Sequence, residues 1–433
     1  TDNTISHNTV IVNETPQATN WVGHPELFCQ SDDFGAVRVD SREVYGDTTK
    51  YQRTMAFIKV GEGQAYAFDV FRVTGGNDHL YVLHGPPGEV ATEGLTLDRQ
   101  ATGSYYGPGV PFGEQTARGA KYGYSWLRDV DRDPAPRPAF TVDWTAEAGW
   151  RGVTAEDDIH LRYHSLSELQ DVALADGEPP QNKPGNPKSL RYLLARRAGD
   201  ALSSTFAGII EPYTAGPVIR SVERLAVSGG AGAESAVAVK VTLADGAIDY
   251  LVASDSDTEV YEAERGLAFA GGIGRVRVRG GEVIGANLCR GTHLALGDFS
   301  IDLQAPGHTG VIARMDKDTE GKGYVWVDVA LPIDGTLVGQ QMIIENDRAR
   351  NACYAIESVE AEDGLSKVCL GDVSFIRGFV DPNNYDGGCV YNFDEGAAFI
   401  IPHVVEVRHV NEHTYGVRST GDVRLSVPQD GAQ

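Results

Sequence analysis

Apolar and polar side chains alternate with a period of two along most of this chain, and that pattern leaves little room for anything but β-sheet. Residues Ala236 to Leu243 place Val237, Val239, Val241 and Leu243 on one side. Arg275 to Arg279, Tyr324 to Val329 and His403 to Arg408 repeat the pattern, and Gln64 to Phe71 and the short Thr9 to Asn13 run agree with it. Successive side chains on a strand point to opposite faces, so such windows predict half-buried antiparallel strands. Between them stand Thr74-Gly75-Gly76-Asn77-Asp78, Ser228-Gly229-Gly230, Ala244-Asp245-Gly246, Arg279-Gly280-Gly281 and Tyr385-Asp386-Gly387-Gly388, which read as tight turns. Glycine accounts for 51 of 433 residues, well above the usual ~7%. The predicted fold class is all-β.

The pattern divides the chain into a large antiparallel β-sandwich over residues 1–295 and a smaller β module over residues 296–433, with the break between Gly291 and Gly297. One short helix is predicted, where Ser165 followed by Glu168 makes a capping box ahead of Leu169 and Val172. Ser189 to Arg197 reads equally as helix or strand. Gly103 to Pro138 and Gly177 to Pro187, rich in Gly and Pro, read as long surface loops, which in compact domains tend to carry function.

Charge narrows the partners. With 61 acidic against 37 basic residues the formal charge is −24, so no basic field exists to displace counterions from nucleic acid or to dock on an anionic membrane. No run of ~18 apolar residues predicts a membrane span. The polar start at Thr1-Asp2-Asn3-Thr4, without a Met or a basic region, reads as a chain that begins inside a domain. Cys29, Cys289, Cys353, Cys369 and Cys389 are too scattered for a disulfide scaffold, and no CxxC predicts a thiolate metal site. Cys353 and Cys369 would pair if their strands were neighbours; buried free thiols are the other reading.

The sharpest local motif is Ser6-His7-Asn8-Thr9-Val10-Ile11-Val12. A histidine just before a strand is either held structurally or serves as a metal ligand completed by distant residues. The run resembles the His-Asn-Thr-Val-x-Val motif of the heparinase II/III-like polysaccharide lyases. Arg53-Thr54, then Ala67-Phe68-Asp69-Val70-Phe71-Arg72-Val73 leading through Gly75-Gly76 to His79-Leu80-Tyr81-Val82-Leu83-His84, resemble the strands that follow in that family. Phe206 to Tyr213 and Asp249 to Val252 extend the likeness, which spans about residues 1–290.

The resemblance implies a β-sandwich that follows a helical toroid, and cleavage of uronate-bearing polysaccharide by β-elimination. A base takes the proton α to the carboxylate, an acid protonates the leaving oxygen, and the carboxylate charge must be neutralised. The family's toroid residues, its His-x-His-x-Asp run and its Asp-Pro-Gly are not in this sequence. No catalytic residue is therefore carried over. Among the metal ligands, His7 alone is, as one ligand of the family's structural zinc, and a structural zinc site takes about four. The implied chain is inactive by itself and works with the missing toroid, outside the cell or in the periplasm. Arg53, Arg72, His84, Arg118, Tyr122 and Trp126, with Tyr105, Tyr106 and Tyr124, are candidates for one wall of the cleft holding the acidic polysaccharide. Their structural alternative is strand ion pairs for the arginines and loop packing for the aromatics.

A reading from another class is a non-catalytic β-rich carbohydrate-binding or surface and filament assembly protein, including one that associates with copies of itself. Three lookalikes are set aside. Asp316 to Gly321 opens like a calcium loop but has Val327 where the bidentate Glu belongs. Gly271-Gly272-Ile273-Gly274 precedes a strand and not a helix. Asn13-Glu14-Thr15 is a glycosylation sequon without a secretory context. No Gly-x-Ser-x-Gly elbow occurs.

Overall fold

The computed structural model describes residues 3–19, 23–230, 234–317, 321–348, 352–411 and 414–428. Antiparallel strands dominate; among the described residues the helical pieces are five three-residue 3-10 turns. The chain forms two compact units. The first comprises residues 1–20, 42–223 and 243–245, and the second residues 21–41, 224–242 and 246–433.

The first unit is a sandwich of two sheets. One runs in the order Val10–Val12, Asp78–His84, Leu190–Ala198, Asp171–Gly177, Leu127–Asp133 and Asp98–Arg99. The other runs in the order Lys50–Gly61, Gln64–Thr74, Ser203–Thr214, Ile159–Ser165, Phe140–Thr145 and Val90–Glu93. Inner-facing side chains join them. The Tyr81 ring of the first sheet stacks at 5.8 Å on Tyr163 and at 5.4 Å on Phe206 of the second. The fully buried Trp144 donates its indole N–H to the carbonyl of Arg191 across the gap, at 2.8 Å.

Chain direction explains Gly75 and Gly76. Expected as a hairpin, this turn instead carries the chain from Gln64–Thr74 in one sheet to Asp78–His84 in the other. Both glycines have positive φ, 110° and 80°, and a Cβ on Gly75 would lie 2.2 Å from the carbonyl oxygen of Asp47. The sequon is consumed structurally here. Asn13 accepts from the Asn77 backbone N–H at 2.8 Å and donates to Asp47 at 2.5 Å.

The second unit holds two hydrophobic clusters. One is built on Ile248–Ser254, Leu267–Arg279, Glu282–Leu296, Phe299–Leu303 and Val404–Asn411, around Phe269, Val276, Leu288, Phe299 and Val405. The other lies within residues 307–402, around Ile312, Val325, Val327, Met342, Val368 and Ile401. The hairpin His24–Gln30 and Phe34–Asp40 belongs to this unit, where Arg38 donates to the carbonyl of Gly272 at 2.9 Å and Cys29 is disulfide-bonded to Cys289. Residues 291–297 lie in strand Glu282–Leu296 and its following turn, and Phe299–Leu303 continues the same sheet.

Several local expectations are corrected, and two left open are decided. No helix forms at Ser165 to Val172. Ser167 instead exchanges hydrogen bonds with the backbone N–H and C=O of Ala207, which keeps the segment extended beside Ser203–Thr214. Leu190–Ala198 is a strand. Tyr385 to Gly388 lies inside strand Asn384–Tyr391, and the turn falls at Pro382-Asn383. The Gly103 loop ends at Trp126, where strand Leu127–Asp133 begins. Cys353 and Cys369 are free thiols. Gly271 to Gly274 lies inside strand Leu267–Arg279. Of the calcium-loop lookalike, Asp318, Thr319 and Glu320 lie outside the described residues. Among the described residues, no helix is long and apolar enough to cross a membrane.

Candidate functional site

The first unit gathers its chemistry where Val10–Val12 begins. Two side chains of one strand, Tyr51 and Arg53, point the same way because they are two residues apart. The buried Tyr51 hydroxyl donates to the carbonyl of Val10 at 2.5 Å and meets Thr9 Oγ1 at 2.8 Å. Burial pushes this phenol up to about 12, so it remains a neutral hydroxyl. Arg53 donates through Nη1 to the carbonyl of Asn8 at 2.8 Å. The Asn8 side chain then clasps the His84 backbone, accepting from its N–H at 2.9 Å and donating to its C=O at 3.3 Å. Residues 8 to 10 are thus fixed from below and from the side, and His7 is presented to solvent.

Beneath Arg53 runs a buried polar chain. Its Nε and Nη2 form a two-pronged pair with Asp69, at 2.8 and 2.7 Å. Asp69 also accepts from the Tyr81 hydroxyl at 2.9 Å. Burial opposes the guanidinium charge, but Asp69 outweighs it and holds the Arg53 pKa above its usual range. Burial, reinforced by the Asp69 charge, drives the Tyr81 phenol up. Half-buried His84 is pushed down by burial, with a smaller contribution from His7, and its ring lies 5.0 Å from that of Tyr192. It is a neutral hydrogen-bonding group beside an exposed imidazole.

The structure brings His7, Arg53 and His84 together. Arg72 is buried on the opposite face of its strand from Asp69. Arg118, Tyr122 and Trp126 sit in the Gly103 loop, which is anchored near its two ends and exposed from Glu114 to Ala120. Tyr105 and Tyr124 are buried in a cluster with Ile5, Leu80, Val82 and Tyr192. The Arg118 guanidinium lies 6.0 Å over the Tyr122 ring, and Trp126 keeps 43% of its surface exposed, edge-on to Phe112. Tyr192 connects the two groups, since it lies under the loop and against His84.

Asp69, Tyr81 and Asn8 carry the geometry and were missed as site residues. The signal for Asp69 was available. The turn at Glu62-Gly63 pairs Lys59 with Ala65, and counting back puts Arg53 opposite Phe71 and diagonal to Asp69. Among the described residues, no three His, Cys, Asp or Glu side chains converge as a metal donor set, so the residues beside His7 do not fit a complete zinc site.

No family model matches the chain, and no curated protein matches it. Among solved structures, it is similar to a mutant of the heparan sulfate lyase HepC from Pedobacter heparinus. That match has 12% identity and a TM-score of 0.34, over 56% of this chain and 29% of that one. A second structure of the same lyase aligns at 10% identity and a TM-score of 0.29, with the same coverage. The chain spans under a third of the length of the lyase it matches.

Proposed function

We propose that the first unit forms one wall of a cleft for an acidic, uronate-bearing polysaccharide in a lyase that works by β-elimination, and that the chain by itself does not turn over substrate. The observation that carries this reading is the pinned Asn8 segment, which leaves His7 exposed in the neighbourhood of a neutral His84 and a buried Arg53–Asp69 pair. Arg53 has its donors committed to Asp69 and Asn8, so its part is to position the segment. Contact with sugar falls to His7, His84 and the loop side chains Arg118, Tyr122 and Trp126. Arg118 supplies charge for a carboxylate, and Trp126 an exposed ring for a sugar face. Arg72, buried on the far face of its strand, is left out of this wall. His7 would be one ligand of a zinc whose other ligands come from outside the described residues.

The test is titration calorimetry of uronate oligosaccharides against the chain, with His7→Ala and Arg118→Ala variants. Each is expected to weaken binding several-fold. Unchanged affinity in both variants would remove the wall. Ultraviolet absorbance of an unsaturated uronate product, developing with this chain alone, would overturn the assignment of catalysis to residues outside it.

A further inference from the structure

The second unit carries a cleft of about 670 Å³ that the reading above does not use. It lies within the range of small-molecule sites, about 300–1,000 Å³. Four short segments form it: residues 303–309, 330–336, His403 and 419–422. At its back, His308 and His403 meet edge to face, with ring centroids 4.5 Å apart. Each ring is fixed by the same residue. His308 Nε2 donates to the carbonyl of Thr420 at 3.0 Å, and His403 Nδ1 lies 3.5 Å from the Thr420 hydroxyl. Gly421 makes room for this pair. A Cβ there would lie 2.7 Å from the His403 ring, so any larger residue would push the imidazole out of place.

The lining decides the ligand class. Thr309 and Thr420 supply hydroxyls, those of Thr336 and Ser419 donate to Asp334 and to the Gly421 carbonyl, and Leu331 and Pro332 supply a small apolar surface. The charged side chains are Asp334 and Asp422; among the described residues, no Lys or Arg lines the cleft. Burial and the neighbouring His308 push the His403 imidazole down, against the opposing pull of Asp422, so at neutral pH the His403 ring adds a hydrogen-bonding group and no positive charge. An anionic sugar would meet two carboxylates and no cation. A ligand with several hydroxyls and a positive charge would meet hydroxyl, imidazole and carboxylate groups.

We infer that this cleft binds a small polyhydroxylated cation of the amino-sugar class, its ammonium facing Asp334 and Asp422 and its hydroxyls facing the threonines and the histidine pair. The experiment titrates the full chain with a glucosamine disaccharide bearing free amines, its N-acetylated counterpart and a uronate disaccharide. Calorimetry and the ring-proton NMR signals of His308 and His403 provide the readouts. Saturable binding of the amine form is expected, with shifts of both histidine signals, and affinity at least tenfold weaker for the N-acetylated and uronate sugars. Asp422→Asn, checked by an unchanged thermal melt, is expected to weaken the amine form about tenfold. Equal binding of the three sugars, amine binding that leaves the histidine signals still, or no saturable amine binding by the unaltered chain would each overturn the inference. The uronate wall of the first unit would stand or fall separately.

Discussion

Removing the Asp69 carboxylate tests whether the polar chain under His7 holds that corner of the sandwich. Asp69 is 2% exposed and Arg53 is 23% exposed, so Asp69→Ala strands a guanidinium that water reaches from one side. Stranding one partner of a buried pair costs about 3–5 kcal/mol. The Tyr81 hydroxyl also loses its acceptor, worth about 1–3 kcal/mol where no water replaces it. The retained bond from Arg53 to the Asn8 carbonyl and the partial exposure of the guanidinium pull the total back, to about 4 kcal/mol. Replacing both partners by apolar residues of similar volume, Arg53→Met with Asp69→Leu, removes the desolvation cost along with the pair. The Tyr81 hydroxyl still loses its acceptor, so the double variant is expected to fall within about 1–3 kcal/mol of the parent. A protein with two units need not unfold in one step, so the assay is amide hydrogen exchange resolved to Lys50–Gly61 and Gln64–Thr74 across a urea series. If Asp69→Ala costs under about 1 kcal/mol, or if the double variant is as unstable as the single, the buried pair is not what fixes this corner.

Three further outcomes follow from the same physics. His403 has its pKa lowered from 6.5 to about 4 by burial and by His308; its contribution is therefore complete above pH 6.5 and lost as the pH falls toward 4. At ~1.4 kcal/mol per pH unit, and discounted for solvent in the cleft, acid should cost about 2–3 kcal/mol, an effect that His403→Gln abolishes in pH-dependent melts. Gly75→Val, at a φ of 110° and against the Asp47 carbonyl, should destabilise the first unit by about 2–4 kcal/mol in urea unfolding. Reducing the Cys29–Cys289 disulfide should lower the second unit by about 2–5 kcal/mol, read as faster exchange in Phe34–Asp40 and Glu282–Leu296, while Gln64–Thr74 is unaffected.

The all-β class was legible because alternation is local: each window of six to eight residues states its own period. Turn placement was partly legible. Arg279-Gly280-Gly281 forms the expected hairpin, but the same chemistry at Thr74 to Asp78 joins two sheets, and Tyr385 to Gly388 runs straight. Glycine permits a reversal without saying which strands it connects. The capping box at Ser165 failed through competition, since Ser167 found a backbone partner forty residues away in Ala207. Long-range pairing also hid the makeup of the second unit. Nothing near Cys29 in sequence announces Cys289, 260 residues on.

The site shows the same limit at finer scale. Parity along Gln64–Thr74 separates Asp69 and Phe71 from Arg72, so the sequence did state that Arg53's cross-strand neighbours are not Arg72's. Choosing the inner face needs one side of the strand to be polar, and here neither is: Val70, Phe71, Arg72 and Val73 are all buried. A strand covered on both faces gives up the clean alternation that tells inside from outside. Both arginines were therefore equal candidates until Tyr81, Tyr163 and Phe206 identified the side facing the first sheet. The inner side holds an ion pair whose partner, Asp69, was readable by counting back from Gly63. Cross-strand counting from the hairpin turn identifies Asp69, which conservative pattern reading along a single strand passes over.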